Sequence, residues 1–284
     1  MGLAADAAGG GPFLGWGHLL IGTEGEGAVM SVAIVTGASR GLGRALAGEL
    51  AARGWDLVLS ARGAAALEEA AAGLERAAGV RVVAVAGDVS SAGHRAALVA
   101  SARELGGLDL LVNNAGVLGA EPLVVLADHA LDGLREAFEV NVVGPLGLVQ
   151  EGLSLLRAAE AGAVLNISSD AAVSAYATWG AYGATKAAGD LVSAVLAVEE
   201  PELRVWWADP GSMRTRMMAA AEPGEDLAGL PTPQEVAPAL LQLVERGLPS
   251  GRYTAQELAA GAAVPGAGAG PASGAASGVA GASR

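Results

Sequence analysis

Residues 32–43 run Val32-Ala33-Ile34-Val35-Thr36-Gly37-Ala38-Ser39-Arg40-Gly41-Leu42-Gly43. Five residues of β-type composition lead without a gap into a loop carrying three glycines, and a helix-forming Ala/Leu/Glu segment follows. At such a strand-to-helix turn any Cβ would obstruct the approach of a pyrophosphate and the packing of helix on strand. The helix N-terminus adds free N–H groups and a partial positive charge. In a chain with 43 glycines the triplet alone is weak evidence, and its place directly after the first strand gives it weight.

Working outward, short β-type runs alternate with longer Ala/Leu/Glu/Arg segments. Strands are predicted at 32–36, 56–60, 81–86, 108–113, 163–168 and 204–208, with a last short one at 251–254. Helices are predicted at 42–53, 64–77, 92–105, across 128–158, at 181–200 and at 234–245. Several strands are continuous apolar runs, the pattern of a parallel sheet covered on both faces. The expectation is a single-domain α/β fold, a doubly wound parallel sheet of Rossmann type with helices on both faces. It is bounded as residues 30–256, between a flexible N-terminal extension (1–29) and a disordered Ala/Gly-rich tail (257–284). Met30 is expected to be the natural start, because the first strand begins two residues later.

Composition excludes several function classes. Net charge is −13, from 30 acidic and 17 basic residues, which repels phosphate backbones and anionic membrane surfaces; no nucleic acid and no membrane partner is expected. With no cysteine and only His18, His94 and His129, no metal site is expected. The glycine-interrupted N-terminus, with no basic residue before Arg40, reads neither as a signal peptide nor as a membrane helix, so a cytoplasmic location is expected.

The second strand ends at Ser60-Ala61-Arg62. A carboxylate at that point would bind the adenosine ribose 2′-OH of NAD. Here Ala61 stands there, with Arg62 next to it and Arg40 available, so the residues favour NADP(H) over NAD(H).

Further on come Asp88-Val89, Asn113-Asn114-Ala115-Gly116, Asn141, Ser168-Ser169, Tyr182-Gly183-Ala184-Thr185-Lys186, and Pro210-Gly211 followed by Thr215. With the glycine loop, and in this order, these resemble the classical short-chain dehydrogenase/reductase family across roughly residues 32–254. Composition adds an independent argument. Of the basic residues all but one are arginine, and the one lysine is Lys186, four residues after Tyr182 and so on the same helical face. All four asparagines lie in or beside these motifs.

The resemblance implies hydride transfer to the carbonyl of a small, partly apolar aldehyde or ketone, or the reverse oxidation of an alcohol. Tyr182 would be the proton donor, its pKa of ~10 lowered by the Lys186 ammonium. Ser169, thirteen residues before Tyr182, would hydrogen-bond the substrate oxygen, with Ser168 as the structural alternative. Asn141 would position a water that links Lys186 to solvent, or satisfy a helix kink. Gly37, Ser39, Arg40, Gly41, Leu42 and Gly43 would cradle the cofactor phosphates. Arg62, Asp88, Val89, Asn114, Ala115 and Gly116 would border its adenosine side. Tyr182, Lys186, Pro210, Gly211, Met213 and Thr215 would border its nicotinamide side. Asp209 departs from an unremarkable small or apolar residue, and a turn-capping role is preferred over one facing the substrate. Substrate selection would rest with loops 117–126, 170–179 and 212–231, the last a candidate lid. The resemblance also suggests a homodimer or homotetramer. The rivals are a non-catalytic NADP-binding sensor or scaffold on the same fold, and an epimerase or dehydratase, for which the segment after Thr215 is short.

Overall fold

The computed structural model describes residues 31–261. The expected extension at 1–29 and residues 262–284 of the expected tail lie outside the described residues. Seven strands form one sheet: β1 (Val32–Thr36), β2 (Asp56–Ala61), β3 (Val82–Ala86), β4 (Leu110–Asn113), β5 (Ala163–Ile167), β6 (Arg204–Asp209) and β7 (Gly251–Thr254). Their order is β3-β2-β1-β4-β5-β6-β7, with every neighbouring pair parallel. The chain winds outward from β1 to β3 and then returns to place β4 on the other side of β1. The connections leaving β1 and β4 therefore diverge, and a crevice opens at the carboxyl ends of these two strands.

Successive residues of β1 serve opposite layers, as strand periodicity requires. Ala33 and Val35 join the core formed with α1 (Gly41–Ala52) and α8 (Pro233–Glu245), through Leu46, Leu50, Leu240 and Leu243. Val32 and Ile34 join the core formed with α3 (Ala92–Leu105) and α5 (Gly144–Ala158), through Leu98, Leu148 and Leu156. Helix α2 (Ala64–Ala78) crosses from β2 to β3. The paired faces are apolar on both sides, which is why the central strands read as unbroken hydrophobic runs.

Two expectations need adjustment. The helix predicted across 128–158 is broken into α4 (Leu131–Phe138), a π-helical turn (Glu139–Val143) and α5. Pro145 carries no N–H with which to bond the Asn141 carbonyl in α register, so the ladder is interrupted at that residue. At the far end, α9 (Ala255–Ala259) crosses the expected boundary at 256. A capping box between Thr254 and Glu257 starts it, and Leu258 is buried in the first core.

Candidate active site

The crevice is a cleft of about 1150 Å³ running from the β1 loop across the ends of β4 and β5 to the segment after β6. At one end lies the start of α1, where Arg40 is the N-cap residue and no side chain caps the first turn. The backbone N–H groups there are free for an anion. Gly41, at φ +57°, has no atom within 4 Å of where a Cβ would lie, so the cleft runs right up to the backbone. Gly43 does the opposite task. A Cβ on it would come within 2.5 Å of the Gly37 carbonyl oxygen, so only glycine lets α1 sit this close to the loop. The residues present therefore fit a dinucleotide pyrophosphate.

Gly37, Ser39, Arg40, Gly41 and Leu42 line this end, as do Arg62, Asp88, Val89, Asn114, Ala115 and Gly116; Gly43 stands behind them as packing. Arg40 and Arg62 are exposed and form no ion pair among the described residues. Asp88 is held below the usual carboxylate range by the N–H and hydroxyl of Ser90, both on Oδ1. Beneath this floor sits His94, whose Nε2 lies 2.8 Å from the Ser60 hydroxyl and whose ring occupies the space a side chain at Gly87 would need.

Thr36 fixes the turn between the β1 and β4 loops. Its Oγ1 accepts from the N–H of Asn114 (2.9 Å) and of Ala115 (3.0 Å) and donates to the Val112 carbonyl. The Asn114 side-chain amide donates back to the Thr36 carbonyl. The other rare asparagines are also tied internally: Asn113 donates to Asn166, which donates to Ser193.

At the other end, α6 (Gly180–Glu199) presents Tyr182 and Lys186, both buried, on one face toward the cleft. The Lys186 ammonium donates to the Ile167 carbonyl at 2.7 Å and stands 5.5 Å from the centre of the Tyr182 ring. Burial lowers Lys186 to about 8, with Asp190 opposing the shift. Tyr182 departs from the sequence expectation. Burial, and then the carboxylates of Asp209 and Asp170, push its phenol above the usual range, while the Ser169 hydroxyl pulls the other way. Burial and the two carboxylates outweigh the ammonium beside the ring, so the phenol is pushed up and not down.

Both serines border the cleft and differ in their bonds: Ser168 is buried and donates to Asp190, whereas Ser169 is half-buried, donates to Asp170 and accepts from the Ala171 N–H at the start of a 3₁₀ turn. Asn141 lies in the π turn with its side chain fully engaged: Oδ1 accepts from the Val117 N–H, and Nδ2 donates to the Val117 carbonyl and to Thr185. Its side chain thus ties the π turn to the loop after β4 and to Thr185 of the tyrosine-bearing helix.

After β6, Asp209 accepts from the Gly211 N–H at 2.9 Å and so caps the turn, with Gly211 at φ +71°. Met213 lines the cleft and is also buried in the first core. Thr215 caps α7 (Arg216–Ala221) by accepting from the Met218 N–H, and residues of the segment 212–231, Met217 and Met218 among them, line the cleft. Trp179 packs edge-on against Tyr182, with ring centres 5.7 Å apart. Two residues that the sequence reading did not single out support this end. Asp190 follows Lys186 by four, a spacing open to inspection; Arg252 comes from β7 and donates to the Ser169 carbonyl, a contact that only the sheet register creates.

Comparison with known proteins gives a consistent result. Residues 31–226 match the family model described as short chain dehydrogenase. Sepiapterin reductase of Rattus norvegicus is 36% identical over 202 residues, covering 67% of this chain and 77% of that protein. Its Xenopus laevis counterpart is 38% identical, covering 66% and 75%. Among solved structures, the oxidoreductase yciK from E. coli superposes with a TM-score of 0.75 at 30% identity, covering 80% of this chain and 95% of that one. A short chain dehydrogenase from Escherichia coli CFT073 complexed with NADPH gives 0.74 at 30% identity, covering 80% and 96%. Among the described residues no helix is long and apolar enough to cross a membrane.

Proposed function

The chain belongs to the short-chain dehydrogenase family, and from that premise we propose that it is an NADPH-dependent reductase of a small, partly apolar aldehyde or ketone, with Tyr182 as proton donor. The observation that carries the proposal is the convergence of Ser169, Tyr182 and Lys186 on the same cleft that ends at the glycine loop. NADPH, when bound, supplies the hydride. The free N–H groups at the start of α1 would hold its pyrophosphate. Arg62 and Arg40, with no carboxylate at Ala61 to repel a 2′-phosphate, favour NADPH over NADH. A solved relative carrying NADPH supports the same preference.

In this reading Ser169 holds the substrate oxygen. Burial keeps Tyr182 as the neutral phenol, the form that a reduction consumes, and its proton passes to that oxygen as the carbon is reduced. With Lys186 near 8, the ammonium predominates at pH 7 and stabilises the phenolate left behind. Trp179, Tyr176, Met217 and Met218 give the substrate end its apolar lining. The outer face of α6 exposes Leu191, Val195 and Val198 at helical spacing, which supports a homodimer through that helix.

The deciding experiment titrates the protein with NADPH and NADH, then follows nucleotide oxidation against aldehydes, ketones, quinones and sepiapterin, the last because relatives bear that name. Turnover that Tyr182→Phe removes, with NADPH affinity retained, supports the proposal. Normal turnover in Tyr182→Phe refutes the donor assignment, and tight NADPH binding with no turnover across the panel favours the sensor reading.

A further inference from the structure

The Arg252 guanidinium reaches from β7 across the ends of β6 and β5. It donates to the Ser169 carbonyl at 2.9 Å and to Asp190 Oδ2 at 3.1 Å, and stands 3.8 Å from Asp209 Oδ2. Asp190 takes a second hydrogen bond on its other oxygen, from Ser168. It lies one helical turn beyond Lys186 and borders with it a small, mostly apolar cavity that Asn141 and Asn166 also line. One carboxylate is thus shared between two cations: Arg252, by a direct ion pair, and Lys186, through space.

We propose that Asp190 and Arg252 are opposed positioning residues for Lys186. The Asp190 carboxylate holds the ammonium, while Arg252 competes for that carboxylate and anchors the backbone of Ser169. Neither touches the reacting atoms in the proposed chemistry, so both act through Lys186 and Ser169. The surroundings of Lys186 leave few other candidates. On its own helix it stands over the Tyr182 ring and feels Asp190, four residues on, through space; Asn141 from the π turn and the Ile167 carbonyl from β5 are uncharged. Asp209 of β6 and Asp170, after β5, bear on Tyr182, and Arg252 is the cation facing this group from β7. With Lys186 deep in the protein, these charges act across little solvent and are weakly screened.

The two roles predict shifts of opposite sign. Asp190→Asn removes the charge that favours the ammonium, so Lys186 should lose its proton about one pH unit lower. Arg252→Gln removes the competing cation and should move the same titration upward. Because Lys186 is the one lysine in the chain, protein labelled with ¹³C-lysine gives a single side-chain NMR signal set, and its titration reads the group directly in the full-length protein. This readout needs no turnover, so it stands apart from failure of the reductase reading, on which the consequence for catalysis rests. If that reading holds, the alkaline limb of the kcat–pH profile moves with the NMR titration in both variants. Titrations like the wild type's, or shifts of one sign in both variants, would overturn the proposal. Should Asp190→Asn fail to fold, Arg252→Gln decides alone, since an unmoved or lowered titration sinks it. Arg252→Lys, which keeps the charge, adds a second lysine signal set, and the set already present in the wild type should titrate close to its wild-type position.

Discussion

Replacing Thr36 by valine changes one hydroxyl to a methyl at nearly constant volume, in a side chain that is only 2% exposed. That hydroxyl is the acceptor for two backbone N–H groups, of Asn114 and Ala115, and the donor to the Val112 carbonyl. Leaving a buried donor unpaired costs about 1–3 kcal/mol. Two such donors, lessened by partial relaxation of the β4 loop, put the loss near ~3 kcal/mol, or roughly 6–12 °C in Tm for a domain of this size. Thr36→Ser keeps the acceptor and should lose far less. Urea unfolding followed by circular dichroism measures the difference. NADPH titration should show weaker binding in Thr36→Val as well, because Asn114, Ala115 and Gly116 line the cofactor end of the cleft. Thr36→Val unfolding within about 0.5 kcal/mol of wild type would refute the assignment of Thr36 as the tie between the two loops, that margin being the ordinary scatter of neutral substitutions.

Gly41→Ala should cost only about 1–2 kcal/mol of stability through its left-handed backbone, because the space around it is open, yet should weaken NADPH at least tenfold; unchanged affinity by calorimetry would place the phosphates elsewhere. Arg62→Ala should weaken NADPH by about tenfold or more while leaving NADH nearly unchanged, as expected for one charge-assisted contact; equal losses would reassign Arg62 to general stability. Leu191→Arg with Val198→Asp should give a monomer by light scattering if α6 forms the dimer contact, and a wild-type protein that is already monomeric removes that contact from consideration.

The order of elements and the parallel sheet were legible because central strands buried on both faces leave unbroken apolar runs, and the crossover helices are long. Strand ends shifted by a residue or two, since the ladder and not the composition ends a strand; β4 begins at Leu110, after Asp109 has turned to accept the Val32 N–H. The π turn was hidden for a similar reason: its cause, Pro145, sits near the start of α5, where proline is ordinarily tolerated.

Within the site, local spacing was readable and long-range charge was not. Tyr182 and Lys186 share a helical face at any depth, so four-residue spacing placed them together. Their electrostatics depends on residues distant in sequence. Asp209 and Asp170 reach Tyr182 from the ends of β6 and β5, and Arg252 reaches Ser169 only because β7 pairs beside β6 with Asp209 opposite Thr254. The inference that lysine lowers tyrosine treated the pair as isolated. In the folded chain both groups are desolvated, which pushes the phenol up and the ammonium down, so the phenol keeps its proton over a wider range while the ammonium keeps its own only below about 8. A hydroxyl that stays protonated in the free protein is well placed to give up its proton once negative charge develops on a substrate oxygen, and it has no need of a low resting pKa to do so.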